Sequence, residues 1–280
     1  MLLDHGWVVA VLLAAVFLAI GSFLNVVIHR LPIMLERDWR RHAHELLEMP
    51  PESPSGDERF NLAVPGSRCP ECDRPVALRH NIPILSWLIL RGRCPHCSSR
   101  ISMQYPLVEA AMAASGLFVV QVFGYDWLTS ALVFYTSCLI ALAFIDMRTQ
   151  LLPDEITIPL LWCGVLTALA TGHVSLADSI LGAAIGYLAL WIVYWGFKLL
   201  TGREGMGHGD FKLLAALGAW LGWQALPSVV LMASLAGLVY AGVAILARSM
   251  RRDQPIPFGP FLALAGWVTL MFHEHLIALP

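Results

Sequence analysis

Trp7–Ile28 reads WVVAVLLAAVFLAIGSFLNVVI, a run without one charged side chain. About 20 apolar residues in a helix cross the hydrocarbon of a bilayer, so this run alone makes the chain a membrane protein. A cleaved signal would carry basic residues ahead of its apolar run. Here Asp4 and His5 precede it, and the basic residues begin after it, at Arg30. It is therefore read as a retained helix with its N-terminus outside. The composition agrees: 58% of the 280 residues are hydrophobic, 14% are charged, and the mean hydropathy is +0.67. A soluble domain carries about 25% charged residues. The net charge of -2 matters less than where the charges sit.

Further apolar runs predict spans over about 106–124, 127–145, 156–171, 176–197, 211–223, 226–247 and 257–277, of which 156–171 and 211–223 are short. Eight spans put both termini on one side. With the N-terminus outside, the inside segments are about 29–105, 146–155, 198–212 and 248–256. Eleven of the 18 Lys and Arg lie from Arg30 to Arg100. The others are Arg148, Lys198, Arg203, Lys212, Arg248, Arg251 and Arg252, so all 18 fall in inside segments or at their edges. That matches the positive-inside rule. Three parts are expected: a first transmembrane helix over 1–28, a cytosolic insertion over 29–105, and a seven-helix membrane bundle over 106–280. Within the insertion, Glu45 to Arg59 is rich in Pro, Ser and charge and reads as a linker. No internal repeat is visible.

The second half of the insertion holds Cys69-Pro-Glu-Cys72 and Cys94-Pro-His-Cys97, separated by 21 residues. Two such knuckles present four thiolates in a tetrahedron, which suits zinc, and four protein ligands leave no open position for water. Proline after the first cysteine of each pair favours a tight turn. A cytosolic location disfavours disulfides. Cys69, Cys72, Cys94 and Cys97 are therefore expected to hold one structural zinc, with His80 and His96 as poorer ligands. Unmetallated thiols are the alternative. Cys138 and Cys163, in apolar runs, read as small buried hydrophobes. The expected fold class is an all-α polytopic membrane protein, about eight transmembrane helices with a small cytosolic zinc-binding insertion.

Ionisable side chains at membrane spans are costly and point to function. Three acids stand out: Glu109, Asp146 and Asp210. Asp146 ends Ala141-Leu-Ala-Phe-Ile145, and Asp210 follows Gly205-Met-Gly-His-Gly209. The two come from different helices, yet the topology puts both at the cytosolic face. Two carboxyls within hydrogen-bonding reach share a proton: one activates water while the other polarises a peptide carbonyl. Gly207 and Gly209 let backbone approach an extended substrate closely, and a peptide unwound at the membrane needs partners for its freed amides. Alone, Asp210 would read as a helix N-cap. Asp154 and Glu155 read as first-turn acids favoured by the helix dipole. Glu109 could bind a cationic group such as a substrate's N-terminal amine, or pair with an arginine of the insertion. Two other classes stay open. A transporter would want its acids near mid-membrane in related halves of a repeat. A membrane scaffold docking partners through the zinc module would leave the glycine-aspartate segment unexplained.

Several segments resemble the type IV prepilin peptidases, the Gly-x-Gly-Asp intramembrane aspartyl proteases. Gly21-Ser-Phe-Leu-Asn-Val-Val-Ile-His-Arg-Leu-Pro32 resembles their opening motif. The two cysteine pairs, with Arg79-His-Asn-Ile-Pro-Ile-Leu-Ser-Trp87 and Leu90-Arg-Gly-Arg93 between them, resemble their cytosolic insertion. Ile145-Asp-Met-Arg-Thr-Gln-Leu-Leu-Pro-Asp154 and Gly207-His-Gly-Asp210 resemble the segments of their two catalytic aspartates, and Pro257-Phe-Gly-Pro260 the motif before the last span. The stretch 36–60 resembles nothing in them. The resemblance implies a bacterial inner-membrane enzyme, both termini periplasmic, that cuts the basic leader from prepilins and type II secretion pseudopilins after a glycine. Members with the four-cysteine insertion commonly also N-methylate the new terminus, usually phenylalanine, with S-adenosylmethionine. No strand followed by Gly-x-Gly-x-x-Gly is present to suggest a Rossmann-type donor site. The expected partners are the pilin substrates and the lipid bilayer, with no nucleic acid.

Overall fold

The computed structural model describes residues 6–48, 60–247 and 256–277. Residues 49–59, most of the stretch read as a linker, lie outside them. Among the described residues the structure is helical, with isolated bridges Arg68–Pro75 and Arg93–Arg100 in place of strands. The helices are α1 (Gly6–Leu46), α2 (Leu85–Ile89), α3 (Gln104–Phe123), α4 (Trp127–Thr149), α5 (Asp154–Thr171), α6 (Leu176–Thr201), α7 (His208–Leu221), α8 (Leu226–Leu246) and α9 (Gly259–Ile277). Eight of them fall on the eight runs read as spans. Six are long and apolar enough to cross a membrane, and Gly259–Phe272 is a shorter apolar helix. The 14 residues of α7 reach about 21 Å, less than the roughly 30 Å of the hydrocarbon.

The chain divides into two compact units, 1–118 and 119–280. In the first, α1 runs through Pro32 to Leu46, well past the apolar limit at Ile28. Its polar continuation is rich in Leu, Arg and Glu, good helix formers. It carries Arg40–Glu36 at 2.6 Å and Arg41–Asp38 at 3.4 Å, at the i,i+4 and i,i+3 spacings at which helical side chains meet. Helix α1 meets α3 through small residues. A Cβ on Gly21 would stand 2.7 Å from Glu109 Cα, and one on Gly116 2.8 Å from the Phe17 ring. Arg30 donates to the carbonyls of Asn61 at 2.9 Å and Pro65 at 2.5 Å, gathering the chain after the undescribed stretch.

In the second unit α7 is the hub. From Asp210 to Leu221 every residue but Lys212 is buried, among α5, α6 and α9. The closest approach is Gly182 of α6 against Gly218 of α7, where a Cβ on either would overlap the other's carbonyl. Gly186, one turn on, faces the Leu214 carbonyl. Membrane helices have no hydrophobic drive to associate and pack through such small residues, Gly-x-x-x-Gly above all. Buried polar groups on this hub are partnered across helices: Ser179 Oγ donates to Ala219 O at 2.7 Å and Trp220 Nε1 to Leu160 O at 2.8 Å. At the other end of α7, Lys212 Nζ reaches both oxygens of Asp154 at 2.7 Å, tying α7 to the start of α5.

Candidate active site and metal centre

Asp146 lies in the last turn of α4, which Gln150 closes in the left-handed conformation at φ 54°, its amide donating to Asp146 O. The Asp146 side chain is buried. Its Oδ2 accepts from the Gly259 amide at 2.9 Å. Gly259 opens α9, so its amide is one of the donors a helix start leaves without an intrahelical partner. No side chain fits there: a Cβ on Gly259 would stand 2.7 Å from Asp146 Oδ2.

Asp210 is the third residue of α7 and is also buried. The cap position belongs to Gly207, with no side-chain capping bond, so Asp210 is not an N-cap. A Cβ on Gly207 would come within 3.8 Å of Asp210 Oδ2. Asp146 and Asp210 lie on two helices whose flanks meet at one residue. Leu152, on the non-helical link between α4 and α5, packs against both flanks. It stands 2.7 Å from a Cβ built on Gly209 and 3.1 Å from one built on Gly259. Three segments that resemble the family's motifs thus converge, those of residues 145–154, 207–210 and 257–260. Gly259 is the participant that sequence reasoning left without a role. Its only trace there is the Pro257-Phe-Gly-Pro260 motif, and nothing in it names Asp146 as partner.

Glu109 lies in the first unit, on α3. It is buried, and its Oε2 accepts from the Ile84 amide at 2.7 Å. Ile84 has φ 57° immediately before α2, an uncommon conformation for a β-branched residue. Glu109 thus engages backbone of the insertion, and among the described residues no arginine pairs with it.

The four cysteines converge as expected. Their ligand atoms lie within 4.8 Å of one another and could hold a metal ion. The two knuckles match. Cys69 N donates to Arg74 O and Asp73 N to Cys69 O; Cys94 N donates to Ser99 O and Ser98 N to Cys94 O. The turning residues Asp73 and Ser98, each four beyond the first cysteine, have φ 52° and 59°. Hydrogen bonds from the backbone at Cys72 and Glu71 hold the Cys69 thiol down at about 6, and Ser99 lowers Cys97. Cys72 moves the other way: against the hydrogen bond from the Arg74 backbone, desolvation and the thiols of Cys69, Cys97 and Cys94 push it up to about 11, so only part of the quartet favours the thiolate a metal needs. His96 stands 3.4 Å from Arg74, outside the quartet.

Residues 133–242 match the type IV leader peptidase family, and residues 16–123 match the bacterial Peptidase A24 N-terminal domain. A prepilin leader peptidase/N-methyltransferase of Aeromonas salmonicida (strain A449) is 52% identical over 274 residues, 97% of this chain and 94% of that protein. The chain belongs to the type IV leader peptidase family. Similar proteins of the same description from Dickeya chrysanthemi and Pseudomonas aeruginosa are 49% identical over 272 residues and 46% over 259. They match 95% and 92% of this family member, and 93% and 89% of their own lengths. No solved structure matches it. The match over 16–123 covers most of the cysteine-bearing first unit, and the match over 133–242 lies within the aspartate-bearing second unit and ends before α9.

Proposed function

We propose that this chain is a membrane aspartyl endopeptidase. It removes the leader of type IV prepilins and type II secretion pseudopilins after a glycine at the cytosolic membrane face, then N-methylates the new N-terminus. The observation that carries the peptidase reading is the buried Asp146–Asp210 pair drawn from α4 and α7. One carboxylate takes a proton from water as it attacks the scissile carbonyl; the other, protonated, donates to that carbonyl oxygen. The first then returns the proton to the leaving amine. Gly259 N–H occupies one oxygen of Asp146 and fixes its orientation. Gly207 and Gly209 receive the extended peptide along backbone. A substrate amine at Glu109 would share that carboxylate with the Ile84 amide. Purified protein incubated with a prepilin and S-adenosylmethionine is expected to yield a pilin lighter by its leader and carrying one methyl. A prepilin of unchanged mass would sink the peptidase reading.

The methyl donor supplies the methyl group. Among the described residues there is no parallel sheet with a glycine-rich turn to cradle it, so no residue is assigned to it. For the cysteines, zinc is the metal the four-sulfur set favours. Cys69, Cys72, Cys94 and Cys97 would hold it closed, as a brace for the insertion. Freshly purified protein should contain one zinc per chain. Cys72→Ser should lose it and loosen the insertion, lowering cleavage without abolishing it. A zinc-free wild type refutes the site, and total loss of cleavage in a well-inserted Cys72→Ser protein refutes its structural role.

The distribution of Lys and Arg supports a periplasmic side for both termini. Reporter fusions after Pro280 and at Asp126 should report periplasm, and fusions at Asp57 and Asp253 cytosol. A cytosolic C-terminus would remove the common face for Asp146 and Asp210.

A further inference from the structure

Tyr194, Phe197 and Lys198 occupy one face of α6, at the spacing of i, i+3 and i+4. Each meets a different residue of the segment that leads into Asp210. Lys198 Nζ donates to Glu204 Oε1 at 2.8 Å. Phe197 lies under Gly205, so that a Cβ there would stand 2.8 Å from the ring. The Tyr194 ring, itself buried, lies 5.0 Å from the His208 ring. Helix residues 198, 197 and 194 thus meet segment residues 204, 205 and 208 in turn. The segment runs back along the end of α6, opposite in direction to the helix. Gly202, at φ 70°, makes the turn that allows this. Lys198 is itself held: it donates to Tyr194 Oη at 3.2 Å and stands 5.3 Å from the Trp195 ring centroid.

Such a dock has a physical reason. Residues 202–209 include four glycines, and glycine loses the most backbone freedom on ordering. Without an external hold the segment would sample many shapes. We infer that the end of α6 is the dock that shapes the glycine segment for substrate, with Tyr194, Lys198 and Glu204 as positioning residues for leader cleavage. The inference rests on the reading of Gly207 and Gly209 as the backbone that receives the peptide. The three residues fix the segment at 204 and 208, on either side of Gly207, which lies against Asp210; Asp210 itself is held independently by the buried α7.

The expected effect follows from the exposure of the pair. Glu204 is 67% exposed, and exposed ion pairs hold weakly. Lys198→Met and Glu204→Gln should each raise KM for prepilin about 1.5- to fivefold, with kcat near wild type. The charge exchange Lys198→Glu with Glu204→Lys should return KM toward wild type. Amide hydrogen exchange over 203–207 should quicken in both single variants, since the segment opens locally more often. A KM that does not move, or a charge exchange as poor as the worse single variant, overturns the dock. So does unchanged exchange over 203–207, whether or not the protein cleaves. If the wild type leaves prepilin intact, the functional reading falls and the exchange data still judge the dock.

Discussion

Asp146→Asn and Asp210→Asn should each abolish leader cleavage, a loss of about a thousandfold or more, while a pilin supplied already cut should still be methylated. The size follows from the pairing. Either asparagine leaves one acid, which can activate water or polarise the carbonyl but cannot do both. Both substitutions keep size and polarity in sites that are buried but near the ends of their helices, so the fold should hold. Asparagine at 146 can still accept from Gly259 through its amide oxygen, which keeps α4 and α9 in register. Initial rates on prepilin, with methylation of the pre-cut pilin measured on the same preparations, check both parts. Near wild-type cleavage by either variant would remove that residue from catalysis. Loss of both activities together would mean that the substitution damages the whole protein.

Gly259→Ala should lower cleavage about a hundredfold, the size expected when a catalytic group is displaced by about 1 Å. The added methyl would meet Asp146 Oδ2 at 2.7 Å, Asp146 Cγ at 3.1 Å and Leu152 Cδ2 at 3.1 Å. Leu152 cannot retreat freely, because its other side packs against Gly209. The carboxyl must therefore turn away or α9 must shift. Either stretches the 2.9 Å bond that orients Asp146. The loss should appear in kcat more than in KM, since the peptide-receiving glycines are untouched. Wild-type kcat in a folded Gly259→Ala protein would show that this amide does not set the geometry.

Much of this was readable in the chain. Each apolar run became a helix, because a run of that length at the membrane has no other way to satisfy its backbone. The cysteine quartet was legible because the spacing within each knuckle is local. Asp146 and Asp210 could be paired because a topology argument put both at one depth. What escaped were contacts between distant segments made by backbone or by small residues. The amide of Gly259 reaches Asp146 across 113 positions, and an amide has no side chain to betray it. Glu109 drew attention as a charge at the membrane, but its partner, the Ile84 amide, is equally silent in sequence. The polar extension of α1 to Leu46 was missed for another reason. Hydrophobic periodicity marks buried faces, and this stretch is largely exposed, held by helix propensity and ion pairs along its own length.

On the proposed mechanism the scissile bond sits between Asp146 and Asp210. A prepilin carrying a photo-activatable phenylalanine analogue just after its cleavage-site glycine can be bound to Asp210→Asn protein, which should leave it uncut. On illumination the crosslinks should map to peptides spanning 145–154, 205–214 or 257–260. Crosslinks confined to residues 1–118 would contradict that placement.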